Sequence, residues 1–175
     1  EGIAALANAP QVPGRVECVG SMDGATVFVD YAHTPDALQN VCRSLRGLDP
    51  RRLITVFGCG GDRDREKRPL MGAVASRHSD YCVVTSDNPR SEDPERIIAD
   101  IEEGMSGAVY ERIVDRGEAI RAAIQEARGG DIVLVAGKGH ESYQEVAGDR
   151  SLFDDRKETR NAMDARRKAR GEDRV

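Results

Sequence analysis

The feature that most constrains this chain is a regular alternation between short apolar runs and longer stretches with helical periodicity. The runs are rich in Val, Ile and Leu and apolar at nearly every position, which is typical of parallel strands buried on both faces. The predicted strands are 26–31, 53–57, 81–85, 109–114 and 132–136. Strands that alternate with helices predict an α/β fold with a mostly parallel sheet, right-handed crossovers and helices on both faces.

Apolar residues spaced three and four positions apart predict the helices between these strands. The clearest example spans 38–48, where Thr34 can cap the helix and Pro35 would occupy its first position. Asp115 and Glu118 stand at capping-box spacing and mark the start of another helix. Both helices are therefore predicted to begin next to a residue whose side chain can cap the first turn.

Three further segments complete the prediction of secondary structure. Segments 15–20 and 143–146 have weaker strand patterns, and we expect both to lie at edges of the same sheet. The stretch from about residue 154 onwards is dense in charges of both signs, which predicts a surface helix that frays towards a disordered end.

The 175 residues fit one domain of ordinary size, which is large enough to bury a core. The chain begins at Glu1 rather than Met and opens on an Ala-rich stretch, so we expect it to be part of a longer protein. We interpret 1–14 as a linker from a preceding domain, 15–165 as the domain itself and 166–175 as a charged tail.

Composition argues against several classes of protein. The formal net charge of −5 argues against nucleic acid as a partner. No apolar run is long enough to cross a membrane, and no signal peptide is present. The cysteines form no CxxC pair and have no histidine at metal-ligand spacing, so we expect free thiols, no metal site and a reducing, cytoplasmic location. The four cysteines are Cys18, Cys42, Cys59 and Cys82.

Polar and glycine-rich segments follow four of the five predicted strands, namely 30–35, 58–65, 86–90 and 137–141. In a doubly wound sheet, ligands bind beyond the carboxyl ends of the strands. The four segments would therefore meet at one edge of the sheet, whereas the predicted helical faces carry nothing comparable. This edge is the predicted ligand site.

The charged residues at this edge are of both signs. Arg63 and Arg90 could clamp a carboxylate through paired hydrogen bonds, and Asp87 and Glu141 could hold an ammonium. Together they would suit a zwitterionic amino acid. The alternative is a set of strand-end ion pairs that only tie loops together, and the residues alone leave this alternative open.

The glycines and histidines at the same edge match no complete catalytic or phosphate-binding motif. Segment 58–61 lacks the third glycine of GxGxxG, and 137–140 lacks the GxxxxGK[ST] pattern of a phosphate loop. A loop that merely needs tight turns explains these glycines equally well. His33 and His140 have no Ser or Cys partner in an evident triad, so we assign no catalytic residue to this domain alone.

Four motifs at these loops resemble the C-terminal domain of the ATP-dependent Mur ligase family: DYAHTPDAL, FGCGGDRDREKRPLM, TSDNPRSEDP and VLVAGKGHE. The resemblance runs from Val12 to about Arg156. It implies a Rossmann-like domain that binds an incoming amino acid and closes over ATP. The sequence Asp-Asn-Pro-Arg at 87–90 resembles the members that add meso-diaminopimelate to UDP-MurNAc-L-Ala-D-Glu during peptidoglycan precursor synthesis.

The resemblance also implies roles for individual residues. ATP and Mg²⁺ would be held mainly by a central domain outside this sequence, so the chain alone is expected to bind the amino acid weakly without turnover. Arg90 would pair with the distal carboxylate of diaminopimelate, and Arg63 with the carboxylate at the reacting end. The residues implied for diaminopimelate are Arg63, Asp87, Asn88, Arg90, Gly137 and Glu141. Those implied for ATP are Arg15, Asp30 and His33, and none is implied for a metal.

Three alternatives remain open at this point. A lysine-adding ligase of the same fold is disfavoured by Arg90, because lysine lacks the distal carboxylate that an arginine would bind. A folylpolyglutamate-synthetase-like domain shares the fold but is not expected to carry these motifs together. A free-standing amino-acid-binding module would need no ligase partner.

Overall fold

A computed structural model of the chain describes residues 12–171. Within them lie a six-stranded sheet, a separate two-stranded sheet and helices on both faces of the larger sheet. The strands are β1 (Glu17–Met22), β2 (Ala25–Asp30), β3 (Leu53–Phe57), β4 (Tyr81–Val84), β5 (Tyr110–Arg112), β6 (Ile132–Ala136), β7 (Tyr143–Val146) and β8 (Asp149–Leu152). The helices are α1 (Pro35–Arg46), α2 (Lys67–His78), α3 (Pro94–Glu102), α4 (Arg116–Glu126) and α5 (Asp155–Ala169).

The larger sheet has the strand order β1-β2-β6-β3-β4-β5. Strands β2, β6, β3, β4 and β5 run parallel to one another, whereas β1 is antiparallel to β2 at one edge. Every residue of β3 and β6 is buried, as expected for strands covered on both faces. The predicted mostly parallel α/β fold is confirmed, and segment 15–20 was correctly predicted to contribute an edge strand.

Two apolar layers flank the sheet, one on each face. Helices α1, α2 and α3 cover one face, where Leu38, Met71 and Ile98 are fully buried. Helices α4 and α5 cover the other face with Ile120 and Met163 among their buried side chains. Both faces of the sheet are therefore closed to ligands, and the ends of the strands remain available.

The predicted helix starts are largely confirmed. The Thr34 hydroxyl accepts a hydrogen bond of 3.3 Å from a backbone N–H of the first turn of α1, which begins at Pro35. The Asp115 carboxylate accepts from the Glu118 backbone N–H at 2.8 Å. The Glu118 side chain pairs with Arg121 and does not return to the cap, so only half of the capping box forms.

The prediction that 143–146 forms an edge strand of the larger sheet is wrong. This segment is β7, which pairs with β8 as an antiparallel hairpin. Strand β1 already occupies the edge next to β2, and β7 instead meets the loop after β4 at a single bridge between Arg90 and Val146. A strand pattern in the sequence does not encode the partner with which the strand pairs.

Helix α5 is less exposed than its charged sequence predicts. Asp155 and Arg166 are buried on the face that packs on the sheet and α4. The helix predicted from about residue 154 runs into the predicted charged tail 166–175, because α5 continues to Ala169. Residues 172–175 lie outside the described residues.

The predicted linker 1–14 falls mostly on residues 1–11, which lie outside the described residues. Gly14 is buried with a φ of +68°, and a Cβ there would lie 2.2 Å from the backbone nitrogen of His140. Its own N–H donates to the Glu17 carboxylate at 2.8 Å. The backbone at Gly14 therefore packs directly against the loop that follows β6.

Candidate functional site

The loops that follow β2, β3, β4 and β6 surround a cleft of about 520 Å³ at the carboxyl edge of the sheet. The six residues that the sequence assigned to an amino-acid ligand all line this cleft: Arg63, Asp87, Asn88, Arg90, Gly137 and Glu141. His33 lines it as well. Lys67 and Tyr143, which the sequence did not single out, complete much of the wall.

Glycines let the loops after β3 and β4 lie directly against each other. A Cβ on Gly61 would lie 1.9 Å from the Pro89 carbonyl oxygen, and the Gly61 N–H donates to the Asn88 carbonyl at 2.9 Å. Gly137 has a φ of +124°, and a Cβ there would lie 2.7 Å from a carboxylate oxygen of Asp87. The requirement at both positions is close approach, which spacing alone could not distinguish from a tight turn.

A group of four residues, here called the loop clasp, ties the same two loops together: Asp62, Arg68, Ser91 and Glu92. The Asp62 carboxylate accepts from the Ser91 hydroxyl at 2.8 Å and from its N–H at 3.1 Å. The Glu92 carboxylate accepts from the Asp62 N–H at 2.6 Å and from the fully buried Arg68 guanidinium at 2.8 Å. Hydrogen bonding from Arg68 lowers the pKa of Glu92 to about 2.

Four other charged residues, here called the cleft charges, face the open space: Arg63, Asp87, Arg90 and Glu141. The Arg63 guanidinium donates to the Asp62 carbonyl at 3.0 Å and that of Arg90 to the Gly61 carbonyl at 2.7 Å. Within residues 12–171, neither arginine forms an ion pair. The alternative interpretation, in which strand-end ion pairs only tie loops together, therefore applies to the loop clasp. It does not apply to the two arginines of the cleft.

The Glu141 carboxylate is held from three strand ends. Its Oε1 accepts from the Tyr31 hydroxyl at 3.4 Å, and its Oε2 accepts from Asn88 Nδ2 at 3.1 Å and from Lys138 Nζ at 3.4 Å. Burial, followed by the negative charge of Glu141, raises the pKa of Tyr31 above its ordinary value. The phenol therefore remains a hydrogen-bond donor at neutral pH.

Lys138 is a charged residue at this edge that the sequence analysis missed. Its side chain is fully buried, and its ammonium donates to Asn88 Oδ1 at 2.9 Å and lies 5.5 Å from the centre of the Tyr143 ring. Burial lowers the pKa of Lys138, whereas the carboxylates of Asp87 and Glu141 raise it. The only signal in the sequence was a lysine between two glycines after a fully apolar strand. A three-residue pattern of this kind is too short to distinguish from an ordinary loop.

The side-chain amide of Asn88 is buried and held at both ends. Its Oδ1 accepts from Lys138 Nζ and from the Glu145 backbone N–H at 3.0 Å, and its Nδ2 donates to Glu141. Two donors at one end fix which end carries the oxygen. Asn88 therefore joins the loop after β4 to β7 and to the Glu141 carboxylate.

A fully buried ion pair, also missed, supports the floor of the cleft. Arg116, the first residue of α4, pairs with Asp155, the first residue of α5, at 2.6 Å. The same guanidinium donates to the carbonyls of Ser86 at 3.2 Å and Ala136 at 3.0 Å, where β4 and β6 end. No sequence pattern marked this pair, because Asp155 lies in a stretch dense in charges of both signs.

The three residues implied for ATP occupy different settings. Asp30 is buried outside the cleft lining, and its carboxylate accepts from the N–H groups of Val16 at 2.7 Å and Ala32 at 2.8 Å. Its carboxylate holds the backbone next to Arg15. Arg15 and His33 are exposed, so they are available to a ligand.

Arg15 and His33 meet at Tyr31, at the rim of the cleft. The Arg15 guanidinium lies 5.2 Å from the centre of the Tyr31 ring, and the ring centre of His33 lies 4.6 Å from the same point. The His140 ring lies 5.4 Å from Tyr31 on another side. These four residues, here called the aromatic rim, offer flat rings and one positive charge, which fits a nucleobase with a phosphate.

The remaining titratable groups show no metal site. In residues 12–171, no group of three or more His, Cys, Asp or Glu side chains is arranged to hold a metal ion. Burial raises the pKa of the thiols to about 11 for Cys42 and about 12 for Cys59 and Cys82, so these remain protonated at neutral pH. Over the same part of the chain, none of the helices has the length and apolarity needed to cross a bilayer.

The sequence and the fold both have close relatives. A UDP-N-acetylmuramoyl-L-alanyl-D-glutamate–2,6-diaminopimelate ligase from Syntrophomonas wolfei subsp. wolfei is 60% identical over 156 residues, which cover 87% of this chain and 32% of that protein. A solved structure of a ligase of the same name has a TM-score of 0.84 and 49% identity, and the match covers 90% of this chain and 33% of that one.

A more distant neighbour shows the fold alone. Escherichia coli FolC in complex with ADP matches 90% of this chain and 33% of that chain with a TM-score of 0.60 and 22% identity. The chain spans about a third of the length of the curated relatives that it matches. The family model described as "Mur ligase, glutamate ligase domain" matches residues 14–139, which include three of the four motifs at the carboxyl edge of the sheet and the fourth as far as Gly139. The chain therefore belongs to the Mur ligase, glutamate ligase domain family.

Proposed function

We propose that this chain is the amino-acid-binding domain of an ATP-dependent ligase that adds meso-diaminopimelate to UDP-MurNAc-L-Ala-D-Glu, a step in peptidoglycan precursor synthesis in the cytoplasm. The relatives that share about half or more of its residues carry the name of this ligase. The observation that carries the proposal is the set of cleft charges, in which two arginines that form no ion pair within residues 12–171 line one cleft with two carboxylates.

The cleft charges match the charge pattern of meso-diaminopimelate, which has a carboxylate and an amine at each end. Arg90 would bind the distal carboxylate, and Arg63 would bind the carboxylate at the reacting end. Asp87 and Glu141 would hold the distal ammonium, and Gly137 leaves room for it because it has no side chain. Binding at both ends would orient the free amine for attack.

Arg90 would also discriminate against lysine. Lysine has no distal carboxylate, so Arg90 would be left without a partner beside a ligand that has only an ammonium at that end. Arg90 is half-buried in the chain and would be enclosed with the ligand, so leaving its charge unpaired there costs roughly 2–5 kcal/mol. This cost corresponds to a preference of about thirtyfold to a few thousandfold.

The aromatic rim supports a role in binding ATP. ATP would supply the phosphoryl group that activates the D-glutamyl γ-carboxylate for amide formation. Arg15 would face a phosphate, and His33 would lie beside the base against Tyr31. Asp30 would act through the backbone by holding the segment that carries Arg15. Mg²⁺ and most of the phosphate contacts would come from a part of the ligase outside this chain.

The proposal is tested by ligation assays with the full-length ligase that contains this chain. UDP-MurNAc-L-Ala-D-Glu, ATP and Mg²⁺ are supplied with either meso-diaminopimelate or lysine, and kcat/KM is measured for each. We expect meso-diaminopimelate to be preferred by about thirtyfold or more. Equal use of the two amino acids, or a preference for lysine, would overturn the proposal.

A second assay examines the chain by itself. Calorimetric titration of the 175-residue chain is expected to show weak binding of meso-diaminopimelate, because the cleft lacks the surfaces that a closing partner domain would add. No ligation is expected from the chain alone. Turnover by the isolated chain would contradict the assignment of catalysis to other domains.

A further inference from the structure

We propose that Lys138 is a positioning residue that fixes the orientation of Glu141 and Asn88 towards the substrate ammonium. The inference rests on the proposed function, since it concerns the same cleft. Lys138 does not line the cleft, and its ammonium lies behind the two side chains that do.

The contacts of Lys138 explain how it could act at a distance from the ligand. Its Nζ donates to Asn88 Oδ1 at 2.9 Å and to Glu141 Oε2 at 3.4 Å. Asn88 Nδ2 donates to the same Glu141 oxygen at 3.1 Å. Lys138, Asn88 and Glu141 therefore form a closed triangle in which each side chain restrains the other two.

The triangle fixes the amide of Asn88 in one of its two orientations. With Lys138 and the Glu145 N–H both donating to Oδ1, the NH₂ group must face Glu141. If the amide turned over, its oxygen would oppose the Glu141 carboxylate and its NH₂ group would oppose two donors. Without Lys138, the Glu145 N–H and the Glu141 carboxylate would still favour this orientation, but Oδ1 would have one donor instead of two.

Because Lys138 is positively charged, a positioning role can be distinguished by experiment from a purely electrostatic role. A positive charge near the place of a substrate ammonium repels it, so an electrostatic role alone predicts that removing Lys138 tightens amino-acid binding. A positioning role predicts the opposite, because Glu141 would lose a restraining donor and Asn88 would lose one of the two donors that hold its oxygen. The two accounts therefore differ in the sign of one measured change.

The other charges around Lys138 do not substitute for it. Asp87 and Glu141 lie on the cleft side, and the Arg116 and Asp155 pair lies on the floor side. The Arg116 guanidinium is occupied by Asp155 and by two strand-end carbonyls. Within residues 12–171, Lys138 is the cation that contacts both Asn88 and Glu141.

The experiment measures KM for meso-diaminopimelate, KM for UDP-MurNAc-L-Ala-D-Glu and kcat in the full-length ligase and two variants. Lys138→Met removes the charge and the donor at similar length. Lys138→Arg keeps the charge and changes the geometry of the donor. We expect both variants to raise KM for meso-diaminopimelate about tenfold or more, with KM for the UDP-linked substrate unchanged as the control for folding.

The outcomes separate the inference from the proposed function. Wild-type KM for meso-diaminopimelate in Lys138→Arg, or a lower KM in Lys138→Met, would overturn the positioning role while leaving the proposed function intact. Failure of the wild-type ligase to use meso-diaminopimelate would overturn the proposed function itself. If Lys138→Met does not fold, Lys138→Arg decides alone, because a role limited to charge predicts no change in that variant.

Discussion

The loop clasp ties together the loops after β3 and β4, and the same two loops carry three of the four cleft charges. The two groups nevertheless differ in whether their arginines have carboxylate partners. In the loop clasp, Arg68 pairs with Glu92 and with Asp100, both at 2.8 Å, so its charge is satisfied inside the protein. In the cleft, Arg63 and Arg90 donate only to backbone carbonyls among the described residues. The three arginines Arg63, Arg68 and Arg90, from the two segments that follow β3 and β4, thus divide into one that holds the loops together and two that remain available to a ligand.

Whether an arginine has a carboxylate partner within the protein distinguishes structural arginines from ligand-binding ones better than its position in the sequence does. A buried arginine with two carboxylate partners contributes to stability and gains nothing from a ligand. An arginine whose partners are neutral carbonyls still lacks a counter-ion, and a ligand carboxylate can provide it. The predictions that follow change one group at a time and ask whether stability or substrate use responds.

The largest expected effect is on substrate use by Arg90→Met. In the full-length ligase, kcat/KM for meso-diaminopimelate should fall about thirtyfold to a few thousandfold, because loss of one partner of a desolvated charge pair costs roughly 2–5 kcal/mol. Stability should change by only about 1 kcal/mol, since one hydrogen bond to a carbonyl is lost. Thermal unfolding and steady-state kinetics measure the two quantities.

Arg65→Met is the matched control for that variant. Arg65 pairs with Glu92 at 2.8 Å, but its side chain is 70% exposed and it belongs to neither group defined above. Its replacement should leave kcat/KM within about twofold, because exposed ion pairs contribute little. Equal losses in the two variants would show that the cleft charges have no special role.

The loop clasp should respond in stability to Arg68→Met. This variant leaves Glu92 without its main partner. Because the Arg68 side chain is fully buried and that of Glu92 is only 12% exposed, the loss should cost about 2 kcal/mol or more in the free energy of unfolding. Urea unfolding of the 175-residue chain provides the measurement. Unchanged stability, together with a loss of substrate use as large as that of Arg90→Met, would break the distinction between the two groups.

The loop clasp also predicts a dependence of stability on pH. The pKa of Glu92 is lowered from 4.5 to about 2 in the folded chain. Its contribution is therefore fully present above about pH 4.5 and is lost as the pH falls towards 2. The stability difference between the wild type and Glu92→Gln should be constant near neutral pH and should shrink over this acidic range. A difference that persists unchanged at pH 2 would contradict the role of Glu92.

Of the two arginines of the cleft, Arg63 is expected to give the smaller effect when it is replaced by Met. Arg63 is exposed, so water screens its interaction with a ligand carboxylate and its replacement should raise KM for meso-diaminopimelate only about fivefold. Stability should not change measurably. A loss of substrate use larger than that of Arg90→Met would reverse the proposed order of the two arginines.

The sequence was sufficient for the central sheet and for the four cleft charges. Strands β3 and β6 were predictable because both faces are covered, which leaves uninterrupted apolar runs. The cleft residues were predictable because parallel strands end at one edge, so residues far apart in sequence must meet there. Thr34 was predictable as a cap because its preference for that position is local.

The missed features depend on pairing between distant residues. Lys138 and the Arg116–Asp155 pair are buried charges, and burial of a charge is decided by a partner that periodicity does not reveal. Strand β7 was recognised as a strand but assigned to the wrong sheet, because its pattern contains no information about its partner. Sequence patterns thus identified which residues meet at the cleft but not which residues hold them in place.

The most direct test of the central claim is a crystal structure of the full-length ligase with meso-diaminopimelate. The distal carboxylate should lie within about 2.7–2.9 Å of the Arg90 guanidinium, with the distal ammonium beside Asp87 and Glu141. The loop clasp should keep the contacts described above. An ammonium placed against Arg90, or an amino acid bound outside the cleft, would contradict the account.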